Sequence, residues 1–487
     1  MKRILSILLA VLMVACAVPA LADSAQASAP KYVFMFIGDG MGSPQISMAE
    51  YYKGTIENPD AEIPTPAELS FSGFETVGLM TTYDATSFCP DSASTATSMA
   101  SGNKTLSGVI NYDTDLANPF KLITEYAKEA GRKVGVLTSV SLDHATPAAY
   151  YAKVPSRSQY YDIMVQGVTG TTLDFLGGGG MLDPDGEKSE NPQGNIIELA
   201  EANGFTYVNT VEDIQALNAD SGRVLAITPE LGGSAAMQYE LDRTESQLSL
   251  ADMTSAAINV LDNDAGFFLM VEGGKIDWTG HANDAATEIN ETLAFSDAVQ
   301  VAIDFYNAHP DETLIIVTGD HETGGLTIGY ATTAYDTHLQ YLASQTMSYE
   351  AFDGVIATLR ENGASFDEAM AEVTKAFGLT TEADNELTLT EDELARIQAA
   401  YELSMIPADE RELTANDELL YGGYEPLSMT CCHILNNKAG IAYTSYAHTG
   451  LQIPVYAQGV GADSFQGSYD NTDIFTKTMA IMGLSAE

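Results

Sequence analysis

The residues able to do chemistry in this chain gather where hydrophobic runs end. Tyr32 to Ile37 (YVFMFI) passes into Gly38-Asp39-Gly40-Met41-Gly42, and Lys133 to Val140 (KVGVLTSV) leads to Asp143-His144-Ala145-Thr146. Phe267 to Val271 (FFLMV) is followed by Glu272, then Asp277 and His281, and Leu314 to Thr318 (LIIVT) by Gly319-Asp320-His321. A single Asp after such a run is ordinarily a turn residue or a helix cap. Four run ends that each deliver carboxylate or imidazole are hard to explain as caps. Those two groups are the usual donors to divalent metals such as zinc. Asp277 and His281 are four apart, so one helical turn puts both on one face. Asp320 and His321 are adjacent and can diverge around one ion. His448, in Ala447-His448-Thr449-Gly450, is a remote further candidate that alone reads as structural.

A second kind of chemistry is suggested by Pro90-Asp91-Ser92-Ala93-Ser94-Thr95-Ala96-Thr97. Its small residues suit a tightly packed helix starting at Ser92. An Asp or Ser N-cap would account for the pattern without any reaction. The functional reading makes Ser92 a nucleophile at a helix N-terminus, where free N–H groups and the dipole favour a phosphate. A serine hydroxyl is a weak nucleophile at neutral pH, and a nearby cation can stabilise its alkoxide.

The elements needed to position these residues follow from the pattern around them. Continuously apolar runs of strand length point to strands buried on both faces, as in a parallel sheet. Helical patterns lie between them at Leu122 to Ala130, Met253 to Leu261 and Glu288 to Tyr306, which is the alternation of an α/β fold. In such sheets ligands bind beyond the carboxyl ends of the strands. The expected fold class is therefore α/β, a large, mainly parallel central sheet sandwiched between helices. Residues 332–426 read instead as an inserted acidic helical lobe, with helices at Tyr349 to Asn362, Ser365 to Phe377 and Thr390 to Leu403. Core-like sequence resumes near Ala439, with a strand at Ile453 to Ala457 and a helix at Thr472 to Met482. The catalytic domain is thus expected over 23–331 and 427–487.

Residues 1–22 read as a secretory signal peptide: Lys2 and Arg3, an apolar run from Ile4, then Ala20-Leu21-Ala22. This implies secretion or periplasmic export, and lipidation at Cys16 in a lipobox-like Met13-Val14-Ala15-Cys16 is the rival reading. No later stretch is long and apolar enough to span a bilayer. With 21 Lys+Arg against 68 Asp+Glu, the formal charge is −47. Such a balance excludes a nucleic-acid binder working by broad basic charge and argues against adhesion to anionic lipid. Cys89, Cys431 and Cys432 form no metal motif, and buried free thiols compete with a bridge from Cys89.

The stretches VFMFIGDGMG, PDSASTATSMASGNKT, LDHATPAAYYAKVPSR, FFLMVEGGKIDWTGHAND, VTGDHETGG and AHTG, in that order, resemble the alkaline phosphatase family. The resemblance covers about residues 31–330 and 439–485. It implies hydrolysis of phosphate monoesters over a broad substrate range with an alkaline optimum, through a phosphoserine on Ser92. It implies two zinc ions, one on Asp277, His281 and His448 and one on Asp39, Asp320 and His321, and a magnesium on Asp39, Thr146 and Glu272. Arg157, in Pro155-Ser156-Arg157, matches the arginine that grips phosphate oxygens, and a homodimer is the family's common state. His144 stands where some members carry Asp, and Trp278 where others carry Lys or His. Both are expected beside the ligands rather than among them. His309, His338 and His433 have no motif support and read as structural. Rival readings are a phosphodiesterase, sulfatase or phosphonate hydrolase of the same superfamily, or a non-catalytic acidic cation-binding surface protein. A sulfatase would need Cys/Ser-x-Pro-x-Arg, whereas Ala93-Ser94-Thr95 follows Ser92.

Overall fold

The computed structural model describes residues 29–486, so the proposed leader and Cys16 lie outside the described residues. Among the described residues there are fourteen strands: β1 (Tyr32–Gly38), β2 (Thr76–Thr81), β3 (Lys133–Thr138), β4 (Phe175–Gly178), β5 (Phe205–Val208), β6 (Arg223–Ile227), β7 (Phe267–Gly273), β8 (Thr313–Gly319), the two-residue β9 (Glu322–Thr323), β10 (Thr327–Ile328), β11 (Ile441–Ala442) and β12 (His448–Thr449), then β13 (Ile453–Gly459) and β14 (Gly467–Asp470). Ten of them form one sheet in the order β14-β2-β13-β8-β1-β7-β3-β4-β6-β5. Only β13 runs against the rest, pairing antiparallel with both β8 and β2.

The reason for the continuous apolar runs is visible in β1. Val33, Met35 and Ile37 enter one hydrophobic core, and Tyr32, Phe34 and Phe36 the other, on the opposite face of the sheet. With helices covering both faces, side chains pointing either way are removed from water, each contributing about 1.5–3 kcal/mol if large and apolar. The helix Ala285–Ala308 packs in the second core through Phe295, Ala298, Val299 and Ala302. β3 ends at Thr138 rather than Val140, because the Thr138 hydroxyl both donates to Glu272 and accepts from Val140 N at 3.0 Å, turning the chain out of the sheet.

Between 332 and 426 the described helices are Tyr349–Asn362, Phe366–Phe377, Glu391–Ser404 and Ala415–Tyr421. Each begins on a Ser or Thr whose hydroxyl accepts from the backbone N–H three residues on: Ser348, Ser365, Thr390 and Thr414. Their apolar faces form a third core with the helix Pro426–Ala439, where Phe352 and Phe377 meet edge to face at 5.0 Å. These helices are tied to the segments beside the sheet by Ser348, whose N–H and hydroxyl both donate to Asp242, and by Glu350, which accepts from Gly233 N at 2.9 Å. Cys431 and Cys432 are buried free thiols of this third core, but Cys89 is an exposed free thiol, contrary to the buried reading.

The sheet register sets up the site. Gly38 pairs with Gly273 on one side and with Gly319 on the other, so β1, β7 and β8 end level with one another. Thr138 of β3 pairs with Glu272 at the same height. Asp39, Glu272 and Asp320 therefore emerge on one rim.

Candidate metal and phosphate site

On that rim, the twelve site residues singled out from sequence form one connected set through side-chain contacts and shared donor clusters, and the histidine tautomers follow from the hydrogen bonds. His281, at the end of the helix Lys275–His281, directs Nδ1 at the carbonyl of Tyr446 at 2.6 Å. His448 directs Nδ1 at the carbonyl of Pro90, also at 2.6 Å. A carbonyl can only accept, so both Nδ1 atoms carry the proton and both Nε2 atoms are bare in the neutral rings. Those two Nε2 atoms face each other at 3.1 Å, and Asp277 Oδ1 lies 3.4 Å from each. Three acceptors converging on one point repel unless a cation lies among them. A proton on His281 can be that cation: burial works against the charged ring, yet Asp277 overrides it and brings the imidazole up to about 9, and Nε2 then faces Asp277 as a donor. Asp277 in turn, despite burial, is held well below the usual carboxylate range by His281 and His448.

A second convergence adjoins the first. Thr323 spends its hydroxyl proton on Asp277 Oδ1 at 2.6 Å and so accepts from His321 Nδ1 at 3.3 Å. His321 Nε2 is then bare, with Asp39 Oδ1 and Asp320 Oδ2 each at 3.3 Å. Burial keeps His321 neutral, pushing it well below its ordinary value. Asp320 is fixed by Gly40 N at 3.1 Å, its neighbour's N–H at 2.9 Å and the Thr95 hydroxyl at 3.0 Å. Burial and then Asp277 raise it to about 6. Asp39 is raised well above its ordinary value by burial and then by Asp320, Asp277 and Glu272. Gly40 makes this crowding possible: its φ is +74°, and a Cβ there would stand 2.8 Å from Asp277 Cα.

The third convergence holds Asp39, Glu272 and His144, whose donor atoms all lie within 4.8 Å of one another. Thr146 donates to Asp39 Oδ2 at 3.1 Å. Glu272 Oε2 takes the Thr138 hydroxyl, while Glu272 Oε1 and His144 Nδ1 are buried with no partner. Burial raises Glu272 to about 8 and, with Arg157 beside it, lowers His144 to about 3. Trp278 packs edge-on against the His144 ring at 5.8 Å.

Ser92 opens the ten-residue helix Ser92–Ser101, capped by Asp91 Oδ1 on Ser94 N at 3.0 Å. Its Oγ is 3.2 Å from His321 Nε2 and 3.4 Å from Asp39 Oδ1. Arg157 Nη1 meets Asp91 Oδ2 at 3.0 Å and Nη2 meets His144 Nε2 at 3.4 Å, so the guanidinium stands over the same helix start. The residues that hold the site together, Asp91, Thr95, Thr138 and Thr323, were not singled out as site residues in the sequence. Only Asp91 carried any signal, as a possible cap. His309 packs at a tilt against Phe305, His338 stacks with Tyr341, and His433 meets Asn283 Oδ1 at 3.1 Å. Among the described residues these three belong to no donor cluster.

Acceptor clusters beside a serine at the carboxyl edge of a parallel sheet suit metal-assisted hydrolysis, and comparison with known proteins narrows the class. The alkaline phosphatase family model matches residues 30–484. Alkaline phosphatase 3 of Bacillus subtilis (strain 168) is 32% identical over 91% of this chain and 87% of its own. The crystal structure of a cold-active alkaline phosphatase from the psychrophile Shewanella sp. superposes with a TM-score of 0.76 at 27% identity, covering 93% of this chain and 99% of that one. A variant of the TAB5 alkaline phosphatase, described with magnesium bound in its M3 site, superposes with a TM-score of 0.62 at 25% identity, over 95% and 100% of the two chains. The chain belongs to the alkaline phosphatase family: it is a metal-dependent enzyme that hydrolyses phosphate monoesters.

Proposed function

We propose that Ser92 is the nucleophile and that a phosphoserine links two in-line displacements. The observation that carries this is the position of the buried Ser92 Oγ, within 3.4 Å of both His321 Nε2 and Asp39 Oδ1, which belong to two of the three acceptor clusters. The donor chemistry fits the metals. Imidazole with carboxylate suits zinc at Asp277, His281 and His448 and at Asp39, Asp320 and His321. The oxygens of Asp39, Thr146 and Glu272 suit magnesium, with the His144 ring at the edge of that cluster. The orphaned Glu272 Oε1 is the atom most in need of such a partner. The magnesium described for the TAB5 variant supports a third site of this kind. When bound, the ions supply positive charge and Lewis acidity at the attacking and leaving oxygens.

The chain's own residues do the rest. Ser92 attacks phosphorus as its Oγ proton is lost, and the ester oxygen takes up a proton and departs as the alcohol; water then attacks phosphorus from the side the alcohol left, the Oγ–phosphorus bond breaks, Ser92 Oγ regains a proton and inorganic phosphate is released. Arg157 contributes a planar fork of donors to two non-bridging oxygens, and Asp91 fixes the fork's orientation. The N–H groups at the start of the helix Ser92–Ser101 face the same anion. In a chain of formal charge −47, this local field is what admits a phosphate dianion.

The same proposal includes export by the 1–22 leader, a homodimer, a broad substrate range with an alkaline optimum, and residues 332–426 as a lobe inserted into one catalytic domain. The test is p-nitrophenyl phosphate turnover before and after chelation, then with zinc and magnesium restored. Turnover should vanish and return. Ser92→Ala should remove nearly all turnover while zinc content stays at the wild-type level; near-wild-type rates would end the phosphoserine route.

A further inference from the structure

Glu322 follows the ligand candidate His321 and has no role in the scheme above, yet its carboxylate is completely buried. Four donors converge on it. Gln45 Nε2 and Leu326 N donate to Oε1 at 2.9 and 3.0 Å, Gly325 N donates to Oε2 at 3.2 Å, and the Thr449 hydroxyl donates to Oε2. Among the described residues no Lys or Arg pairs with it. A buried carboxylate in a carboxylate-rich neighbourhood is costly. A glutamine of the same shape would avoid that cost but would turn an NH₂ group toward donors. The place requires a group that only accepts.

The donors come from three of the four segments that carry the zinc candidates; the helix Lys275–His281 supplies none. Gln45 begins the helix after the Asp39 turn, and its Nε2 also reaches Thr323 O at 3.0 Å while its Oε1 accepts from Gly42 N at 3.0 Å. Gly325 and Leu326 belong to the turn after β9, in which Gly324 and Gly325 have φ of +90° and +63°. Thr449 follows His448 on β12. The β9–β12 pairing sets Thr449 opposite Glu322 and His448 opposite Thr323, and it is only two residues long. That ladder stacks the His321 and His448 rings at 3.6 Å, 18° from parallel. Two ladder pairs cannot define a register strongly by themselves. The Glu322–Thr449 contact joins side chains across that register.

We propose that Glu322 is a positioning residue: it locks β9 to β12 and to the Asp39 segment, and so sets the spacing of His321 and His448 at the paired zinc sites. This rests on the reading of those histidines as zinc ligands. Partners that orient metal ligands characteristically alter affinity or activity about 10- to 100-fold when changed.

The experiment measures zinc affinity of the full chain against a competing chelator, the visible spectrum of the cobalt-substituted enzyme, and kcat and KM separately. Glu322→Gln and Thr449→Val should weaken zinc binding about 10- to 100-fold, alter the cobalt spectrum and lower kcat more than they raise KM. Thr449→Ser, which keeps the hydroxyl, should stay within about threefold of wild type. If Glu322→Gln fails to fold, the Val and Ser pair at Thr449 decides alone. Thr449→Val with wild-type zinc affinity and cobalt spectrum, or Thr449→Ser as damaging as Val, overturns the proposal. His321→Ala and His448→Ala separate it from the ligand reading. If they retain full zinc content, the ligand assignment is wrong. If they lose zinc while the Glu322 and Thr449 variants do not, only the positioning role is wrong.

Discussion

Gly42→Ala tests how tightly the metal-bearing segments are wedged together. Gly42 has φ −87° and ψ −179°, which any residue adopts, so the backbone itself does not resist the change. The resistance is steric: a Cβ at Gly42 would stand 2.7 Å from Glu322 Cγ and 3.0 Å from Glu322 Cβ, whereas ordinary contact begins at 3.4 Å. Glu322 Cγ must retreat by about 0.7 Å (3.4 minus 2.7). A carboxylate displaced by that much cannot keep all four of its donors in place, and the Gly325 N contact, already 3.2 Å from Oε2, has the least slack of those with a stated distance. One lost partner on a buried acceptor costs about 1–3 kcal/mol, and overpacking alone costs about 1–3 kcal/mol. Shared relaxation keeps the sum at about 2–4 kcal/mol. Guanidinium unfolding of the metal-loaded enzyme reads the stability, and chelator competition reads the metal. Gly42 is also a helix N-cap, where Ala is a poorer choice and Ser a better one. Gly42→Ser carries the same Cβ, so it should be nearly as damaging if the clash dominates. A Gly42→Ala enzyme within about 0.5 kcal/mol of wild type, or full recovery with Ser, would refute the reasoning.

Gly354 is the opposite case: it lies mid-helix in Tyr349–Asn362 with nothing within 4 Å of an added Cβ, so Gly354→Ala should stabilise by about 0.5–1 kcal/mol, seen as a raised unfolding midpoint. Arg157→Ala removes charge-assisted contacts worth about 2 kcal/mol, so inhibition by inorganic phosphate should weaken roughly 30-fold; an unchanged inhibition constant removes Arg157 from the site. His433 is pressed down to about 4 by burial and then Arg396, below the 6.5 of an unfolded chain. Its folded pKa is depressed, so the stability it confers is fully present above pH 6.5 and is lost as pH falls toward 4. The ring is not fully enclosed, which trims the linkage to about 2 kcal/mol. Between pH 7 and pH 4, wild type should lose that much stability relative to His433→Gln, and parallel curves would exclude the linkage.

What could be read from the sequence divides along a physical line. Strands β1, β3, β7 and β8 announce themselves because burial on both faces forbids polar residues along their length. β2 does not, since its residues alternate between buried and exposed, and β4 and β5 are only four residues long. Their existence depends on neighbours the local sequence does not mention. The site divides in the same way. The strongest metal donors available here are Asp, Glu and His, so Asp39, Asp277, His281, Asp320, His321 and His448 are conspicuous by type and by place at strand ends, whereas Thr146 is picked out only by the family resemblance. The groups that orient them need supply only one proton or one lone pair. Thr323 relays a proton to Asp277 and accepts one from His321, Thr138 holds Glu272, and the carbonyls of Tyr446 and Pro90 fix the tautomers of two imidazoles. Any Thr, Gln or peptide group can do this, and only the fold says which does. Glu322 lies between the two cases. Its type is as conspicuous as a ligand's and it stands beside one, yet its donors place it in the support. Proximity in sequence to a metal ligand is therefore weak grounds for assigning a ligand's role; the count of donors already pointing at a carboxylate is the better criterion.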